Sequence, residues 1–126
     1  MKVFTSYYDK VPALDKNEFT FVRVSRKEEP EWFASGYELV DFSSHFGPTA
    51  EMLKECHPLE NWEAFEPRYK SEILGKIDKE AMKDELAKIY AEFGSKPLVL
   101  LCYENSEENC HRHLIGEYLG IEMEEI

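Results

Sequence analysis

PLVLLCYENSEENCHRHLIGEYL, residues 97–119, is the stretch from which the fold is read. It opens with four consecutive apolar residues, Leu98, Val99, Leu100 and Leu101. The run is too short for an ordinary helix and is bounded by Pro97. It therefore reads as a strand buried on both faces, as in a parallel sheet. Cys102, Tyr103 and Glu104 follow at its carboxyl end. The polar loop 105–109 then leads to a helix whose first turn is read as Cys110-His111-Arg112. The most reactive side chains of the chain are thus expected at one strand-to-helix turn.

Working outward, Leu114, Ile115, Tyr118 and Leu119 give that helix an apolar side, and Gly120 ends it. Residues 121–126, IEMEEI, alternate at first and read as a short edge strand. Upstream, Met82, Leu86, Ile89, Tyr90 and Phe93 form an amphipathic stripe, with Asp78 as its cap and Gly94 and Pro97 as its stop. Pro67 suits a first helical turn, followed by Tyr69, Ile73, Leu74 and Ile77 at helical spacing. Residues 61–66 are left undecided between helix and loop. A shorter helix is expected after Pro48-Thr49, ending before His57-Pro58. Residues 43–47 read as a loop.

The amino-terminal third supplies strands. Residues 2–8, KVFTSYY, are β-branched and aromatic, and residues 19–25, FTFVRVS, repeat that character. Residues 37–42 read as a further strand. Pro12 and several charges make 9–18 a loop or turn, and Pro30-Glu31-Trp32-Phe33 starts a short turn or helix. Strands alternating with helices point to a three-layer α/β fold, a small, mostly parallel sheet flanked by helices. The length of 126 residues suits a single domain over 1–126. Strand order cannot be read from this pattern.

The chain carries 26 acidic against 15 basic residues, a formal charge of −11. That argues against nonspecific nucleic-acid binding, which needs a cationic face. A nucleotide or other small anion could still be held by a local positive site. The three cysteines, Cys56, Cys102 and Cys110, and the lack of an apolar leader after Met1 favour a reducing, cytoplasmic setting. No apolar run approaches the roughly 20 residues of a membrane span. Oligomeric state is not written in the sequence.

Cys110 is the first chemical candidate. At a helix start, a thiol meets free backbone N–H groups and the positive end of the helix dipole. His111 and Arg112 add positive character, so the thiolate is favoured. The plain alternative is a buried, inert cysteine. Arg112 is an anion-binding candidate. Its alternative is an ion pair with Glu104, Glu107 or Glu108.

Cys102 and Glu104 are two apart and share a strand face, so Glu104 is a candidate general base or a partner for His111. Tyr103 would point the other way, into packing. Thr5, Ser6 and Tyr7 would line the same sheet edge if their strand runs parallel to 98–102. Their ordinary role would be hydrogen bonding at the strand end. Cys102, Cys110 and His111, with His113 or Glu104, are zinc-type ligands. Adjacent helical residues diverge by about 100 degrees, however, so Cys110 and His111 are not expected to share one ion. No cofactor is required by this reading.

Leu100-Leu101-Cys102-Tyr103-Glu104 followed by Cys110-His111-Arg112 resembles the bacterial and phage family catalogued as domain of unknown function 488. That family typically shows a leucine-rich strand, Cys-x-Glu, a short polar loop and Cys-His-Arg. Thr5-Ser6-Tyr7, Ser25-Arg26 with Pro30 and Trp32, and Tyr69 before Ile73-Leu74 add to the resemblance. It implies a small cytosolic α/β protein with site residues Cys102, Glu104, Cys110, His111 and Arg112. It implies no particular reaction.

The expectation is therefore a small-molecule site. Arg112 would hold an anionic group, and Cys110 would act as nucleophile or redox thiol. His111 or Glu104 would move protons. The alternative is a non-enzymatic acidic domain that engages a basic partner, with the Cys-His-Arg turn purely structural.

Overall fold

The computed structural model describes residues 1–126. Five strands form one sheet: β1 (Val3–Tyr7), β2 (Thr20–Arg23), β3 (Val40–Asp41), β4 (Leu98–Cys102) and β5 (Met123–Glu125). Their order is β3-β2-β4-β1-β5, and every pairing is parallel. The last long strand to be made thus sits in the middle of the sheet. All five β4 residues are buried. Leu98, Leu100 and Cys102 face the larger core, and Val99 and Leu101 face the smaller one. This two-sided burial is why the run carries no polar alternation.

The larger core is roofed by α3 (Ala50–Cys56), α4 (Trp62–Glu72), α5 (Lys79–Glu92) and α6 (Arg112–Leu119). Met52, Phe65, Tyr69, Leu86 and Ile115 meet there with essentially no exposure. The opposite face is covered by a 3-10 turn, Tyr8–Ala13, and by α1 (Glu31–Ala34), which supply Tyr8, Val11 and Phe33. The result is the three-layer α/β arrangement. No helix is long and apolar enough to cross a membrane.

Local chemistry accounts for the helix starts. Thr49, Asn61 and Asp78 each accept a backbone N–H from three residues on, at Met52, Ala64 and Ala81. Gly120 takes a positive φ of 71° to close α6. Gly116 lets α6 lie on the following chain, because a Cβ there would come within 2.8 Å of the Ile121 carbonyl.

Several boundaries differ from those expected. The 43–47 segment holds a one-turn helix, α2 (Ser43–Phe46), not a loop. Pro67 lies in the middle of α4, not at its first turn. The Asn61 cap starts the helix earlier, and the Glu63 carbonyl that Pro67 leaves unpaired is on an exposed residue, where water can satisfy it. The helix also stops at Glu72, and a 3-10 turn, Leu74–Lys76, carries Leu74 into the core. Of residues 37–42 only Val40 and Asp41 pair with β2. Phe93 lies just past the end of α5 and is 38% exposed, so the apolar stripe is buried chiefly through Met82 and Leu86.

Candidate active site

Tyr7 and Cys102 are register partners at the carboxyl ends of β1 and β4. In an open parallel sheet this is the edge where loops gather chemistry. After Cys102 the chain turns out through Tyr103, which packs on the smaller-core side with its ring 4.8 Å from that of Tyr8. Asn105 then organises the polar loop. Its Oδ1 accepts the N–H groups of Glu107 and Glu108 at 2.9 and 3.1 Å, and Glu108 Oε1 accepts the Asn105 N–H at 2.9 Å. Such side-chain-to-backbone closure is what Asn does in tight turns. It folds the loop back so that Cys110 returns over Cys102.

Helix α6 begins at Arg112, so Cys110 and His111 lie in the turn before it, not in its first turn. The N–H groups of His113 and Leu114 bond the carbonyls of Cys110 and His111 at 3.1 and 3.0 Å. Because Cys110 lies outside the helix, the divergence of successive helical residues does not fix the angle between Cys110 and His111. Both side chains converge on Cys102, and ligating atoms of the three residues all lie within 4.8 Å of one another. Cys102 Sγ is 3.3 Å from His111 Nε2 and 3.8 Å from Nδ1. Cys110 Sγ is 3.7 Å from Nδ1. The Nε2–H donates to the Val24 carbonyl at 2.7 Å, just past β2. The Tyr69 ring packs 5.2 Å from the imidazole, and its hydroxyl donates to the Phe46 carbonyl.

Glu104 completes the group. Its Oε2 lies 3.3 Å from Cys110 Sγ, and one proton can serve both atoms. Burial, followed by the charge of the neighbouring sulfur, pushes the Glu104 carboxyl up to about 7. Burial alone would raise the Cys110 thiol as well. The hydrogen bond from Cys102, the His111 cation and Arg112 outweigh burial and hold Cys110 well below its ordinary value. Burial and the adjacent Cys110 drive Cys102 well above its ordinary value. Burial opposes the charge on His111, yet the Cys110 thiolate and the Val24 carbonyl raise its pKa. The favoured state is a Cys110 thiolate beside a His111 cation, with Cys102 and Glu104 able to donate hydrogen bonds.

Arg112 points elsewhere. It is fully buried, and its guanidinium grips Glu125 on β5 in a two-point pair. Nε donates to Oε1 at 3.1 Å and Nη2 to Oε2 at 2.8 Å. Nη2 also donates to the Asn105 carbonyl at 3.2 Å, which ties the loop to the sheet. The Thr5 hydroxyl donates to Glu125 Oε1 at 2.6 Å, and His113 Nε2 is 3.2 Å from the same oxygen. Ser6 Oγ donates to the Ile126 carbonyl at 3.0 Å, and the Tyr7 ring lies 6.0 Å from the guanidinium carbon. Of the three guanidinium nitrogens, only Nη1 is buried without a partner. Burial would raise the Glu125 carboxyl, but donors from His113, Arg112 and Thr5 bring it down to about 2.

The ion-pair partner is thus Glu125, not Glu104, Glu107 or Glu108. A sequence signal for it existed. Ile121, Met123 and Glu125 share one side of a period-two segment, so an acid falls where an apolar residue is expected. Val24 could not have been found, because it contributes only a backbone carbonyl.

A family model described as "Active DUF488-N3 subclade" matches residues 20–122. No curated protein and no solved structure matches the chain.

Proposed function

The chain belongs to the DUF488 family, and within that family we propose that it is an enzyme whose nucleophile is Cys110, acting on a small molecule. The single observation behind this is the convergence of Cys102, Cys110 and His111 within 4.8 Å, with Glu104 beside Cys110. A sulfur stabilised as thiolate next to an imidazolium is an activated nucleophile. The description of the matched subclade as active fits an enzyme.

In the proposed step Cys110 Sγ forms a bond to an electrophilic carbon of the substrate while the bond to the leaving group breaks. Glu104, protonated near neutrality, gives its proton to the leaving group. As a carboxylate it then takes a proton from the water that releases the second product. His111 holds the thiolate charge, and Val24 fixes its ring. Substrate enters from the loop side, where Glu104 is half-buried and residues 105–107 are exposed. Arg112, fully buried and paired with Glu125, anchors the loop and is not free to hold the anionic group expected of it. Three unpaired cysteines suit a reducing compartment such as the cytoplasm.

The test is thiol mapping. Cys110, Cys102 and Cys56 are all buried, so labelling needs the 105–109 loop to open, and iodoacetamide at neutral pH followed by mass spectrometry should then label Cys110 first through its thiolate. If all three thiols label only on unfolding, the nucleophile is sealed and the non-enzymatic alternative stands instead.

One observation favours a second reading, a thiophilic metal centre. His111 Nδ1 lies within 3.8 Å of both sulfurs, although Cys102 Sγ is nearer Nε2 at 3.3 Å, and Nε2 donates to a backbone carbonyl, the outer-shell bond typical of metal-ligating histidines. The Nδ1-to-sulfur distances of 3.7 and 3.8 Å are close to the separation of roughly 3.5 Å that bond lengths of about 2.3 and 2.0–2.1 Å give on tetrahedral zinc. Zinc would be held by Cys102, Cys110 and His111 and would supply an acidified water. Near-stoichiometric zinc in purified protein, or cobalt–thiolate bands after cobalt loading, would establish it. Absence of both would leave the free thiolate.

A further inference from the structure

At the opposite end of the sheet from the cysteines lies a cleft of about 670 Å³. Its origin is the short β3. Strand β2 runs over Thr20–Arg23, but β3 pairs only at Val22 and Arg23, so the sheet gapes beside Thr20 and Phe21. Phe19, Tyr37 and Phe93 give the cleft apolar walls, and Lys16 and Lys96 place two ammonium groups on its lining. The volume falls within the roughly 300–1,000 Å³ typical of small-molecule pockets.

Two features point to a ligand. The first is Thr20, whose residue is only 6% exposed and whose Oγ1 is buried with no hydrogen-bond partner. An unpaired buried hydroxyl is costly, and a bound acceptor would relieve it. The second is charge. The chain carries −11, and the lysine ion pairs it forms use Lys2, Lys70 and Lys83. Lys16 and Lys96 make none, as is true of most lysines in the chain, and what sets these two apart is their place together on the cleft lining. The exposed Lys16 donates to the Gly36 carbonyl at 3.2 Å and its ammonium lies 5.6 Å from the Tyr37 ring centroid. Glu38 also borders the cleft, so anion selectivity rests on two cations outweighing one acid.

We propose that this cleft binds a small anion carrying a flat apolar ring. The ring packs among Phe19, Tyr37 and Phe93. Lys16 and Lys96 meet the anionic group, and Thr20 Oγ1 donates a hydrogen bond to it. The site shares no residue with the cysteine cluster.

Phenyl phosphate is a suitable probe, with inorganic phosphate and benzyl alcohol as controls, by titration calorimetry and thermal shift on the full chain. One equivalent of phenyl phosphate should bind, and both controls should bind at least tenfold more weakly. Lys16→Gln with Lys96→Gln should weaken phenyl phosphate by about tenfold or more, since each charged hydrogen bond lost is large on this scale. Thr20→Val, which keeps the side-chain shape, should weaken it several-fold. Cys110→Ala should leave binding unchanged, which separates this site from the thiol centre. Phenyl phosphate failing to bind, binding equally to the double lysine variant, or binding no better than inorganic phosphate would each overturn the proposal.

Discussion

His111 and Arg112 are neighbours in the chain, both buried, and do opposite things. Arg112 turns toward β5 and is matched by a carboxylate in two-point contact, with Thr5 and His113 on the same acid. His111 turns toward β4 and meets two sulfurs and a backbone carbonyl. The first cluster is closed, with charge neutralised by charge. The second is poised, since Cys102, Glu104, Cys110 and His111 can distribute their protons in more than one way. Adjacent residues of one motif can thus divide into a clamp and a reaction centre, and the clamp positions the centre by tying the loop to the sheet through Asn105.

That division ranks the expected effects. Glu125→Ala leaves a buried guanidinium unpaired, and should cost about 3–5 kcal/mol in urea unfolding. Cys110→Ala should cost only about 1 kcal/mol, in the ordinary range for single substitutions. If the two variants lose equal stability, the sulfur is as structural as the clamp and the comparison fails.

The two carboxylates should also give opposite pH slopes. Glu125 sits near 2 when folded, below its ordinary 4.5, so its contribution is present above pH 4.5 and lost as pH falls through about 2. Glu104 sits near 7 when folded, above 4.5, so the folded form binds the extra proton. Its contribution is full below pH 4.5 and is lost as pH rises through about 7. Each could amount to about 3 kcal/mol if unscreened, and less because both carboxyls are partly exposed to solvent. Unfolding free energy measured against pH should lose its fall between pH 4.5 and 7 in Glu104→Gln. A slope that survives that substitution would assign the proton elsewhere.

The smallest effect sharpens the boundary of the site. Tyr103 lies on the far face, where its hydroxyl donates to the Glu28 carbonyl and Lys27 sits 4.9 Å from its ring. Tyr103→Phe should cost about 0.5–1 kcal/mol in unfolding and leave Cys110 labelling unchanged. A change in labelling would join the two faces.

What the sequence made legible follows the same line. The β4 strand was readable because burial on both faces leaves an unbroken apolar run, and period two separated Cys102 from Tyr103 correctly. The helix caps at Thr49 and Asp78 were readable because capping is local chemistry. The two-residue β3 was not, because Tyr37 stays with the preceding helix, its N–H on the Phe33 carbonyl and its ring stacked on Phe33, which the β-like character of 37–42 does not reveal. Pro67 misled because the exposed Glu63 carbonyl can turn to water, which relieves part of the cost of a proline inside a helix. At the site, the residues were identifiable by type, but their pairing was not. Arg112 found its acid across the sheet, and the turn before α6 allowed Cys110 and His111 to converge where helical geometry would have parted them.

The central claim is that Cys110 is held as a thiolate by His111. Ultraviolet thiolate absorbance of the folded protein, titrated against pH, tests it most directly. The account predicts one thiolate titrating well below the ordinary 9.0, absent in Cys110→Ser and shifted upward in His111→Gln. A wild-type curve with no thiolate until pH 9 or above would contradict it.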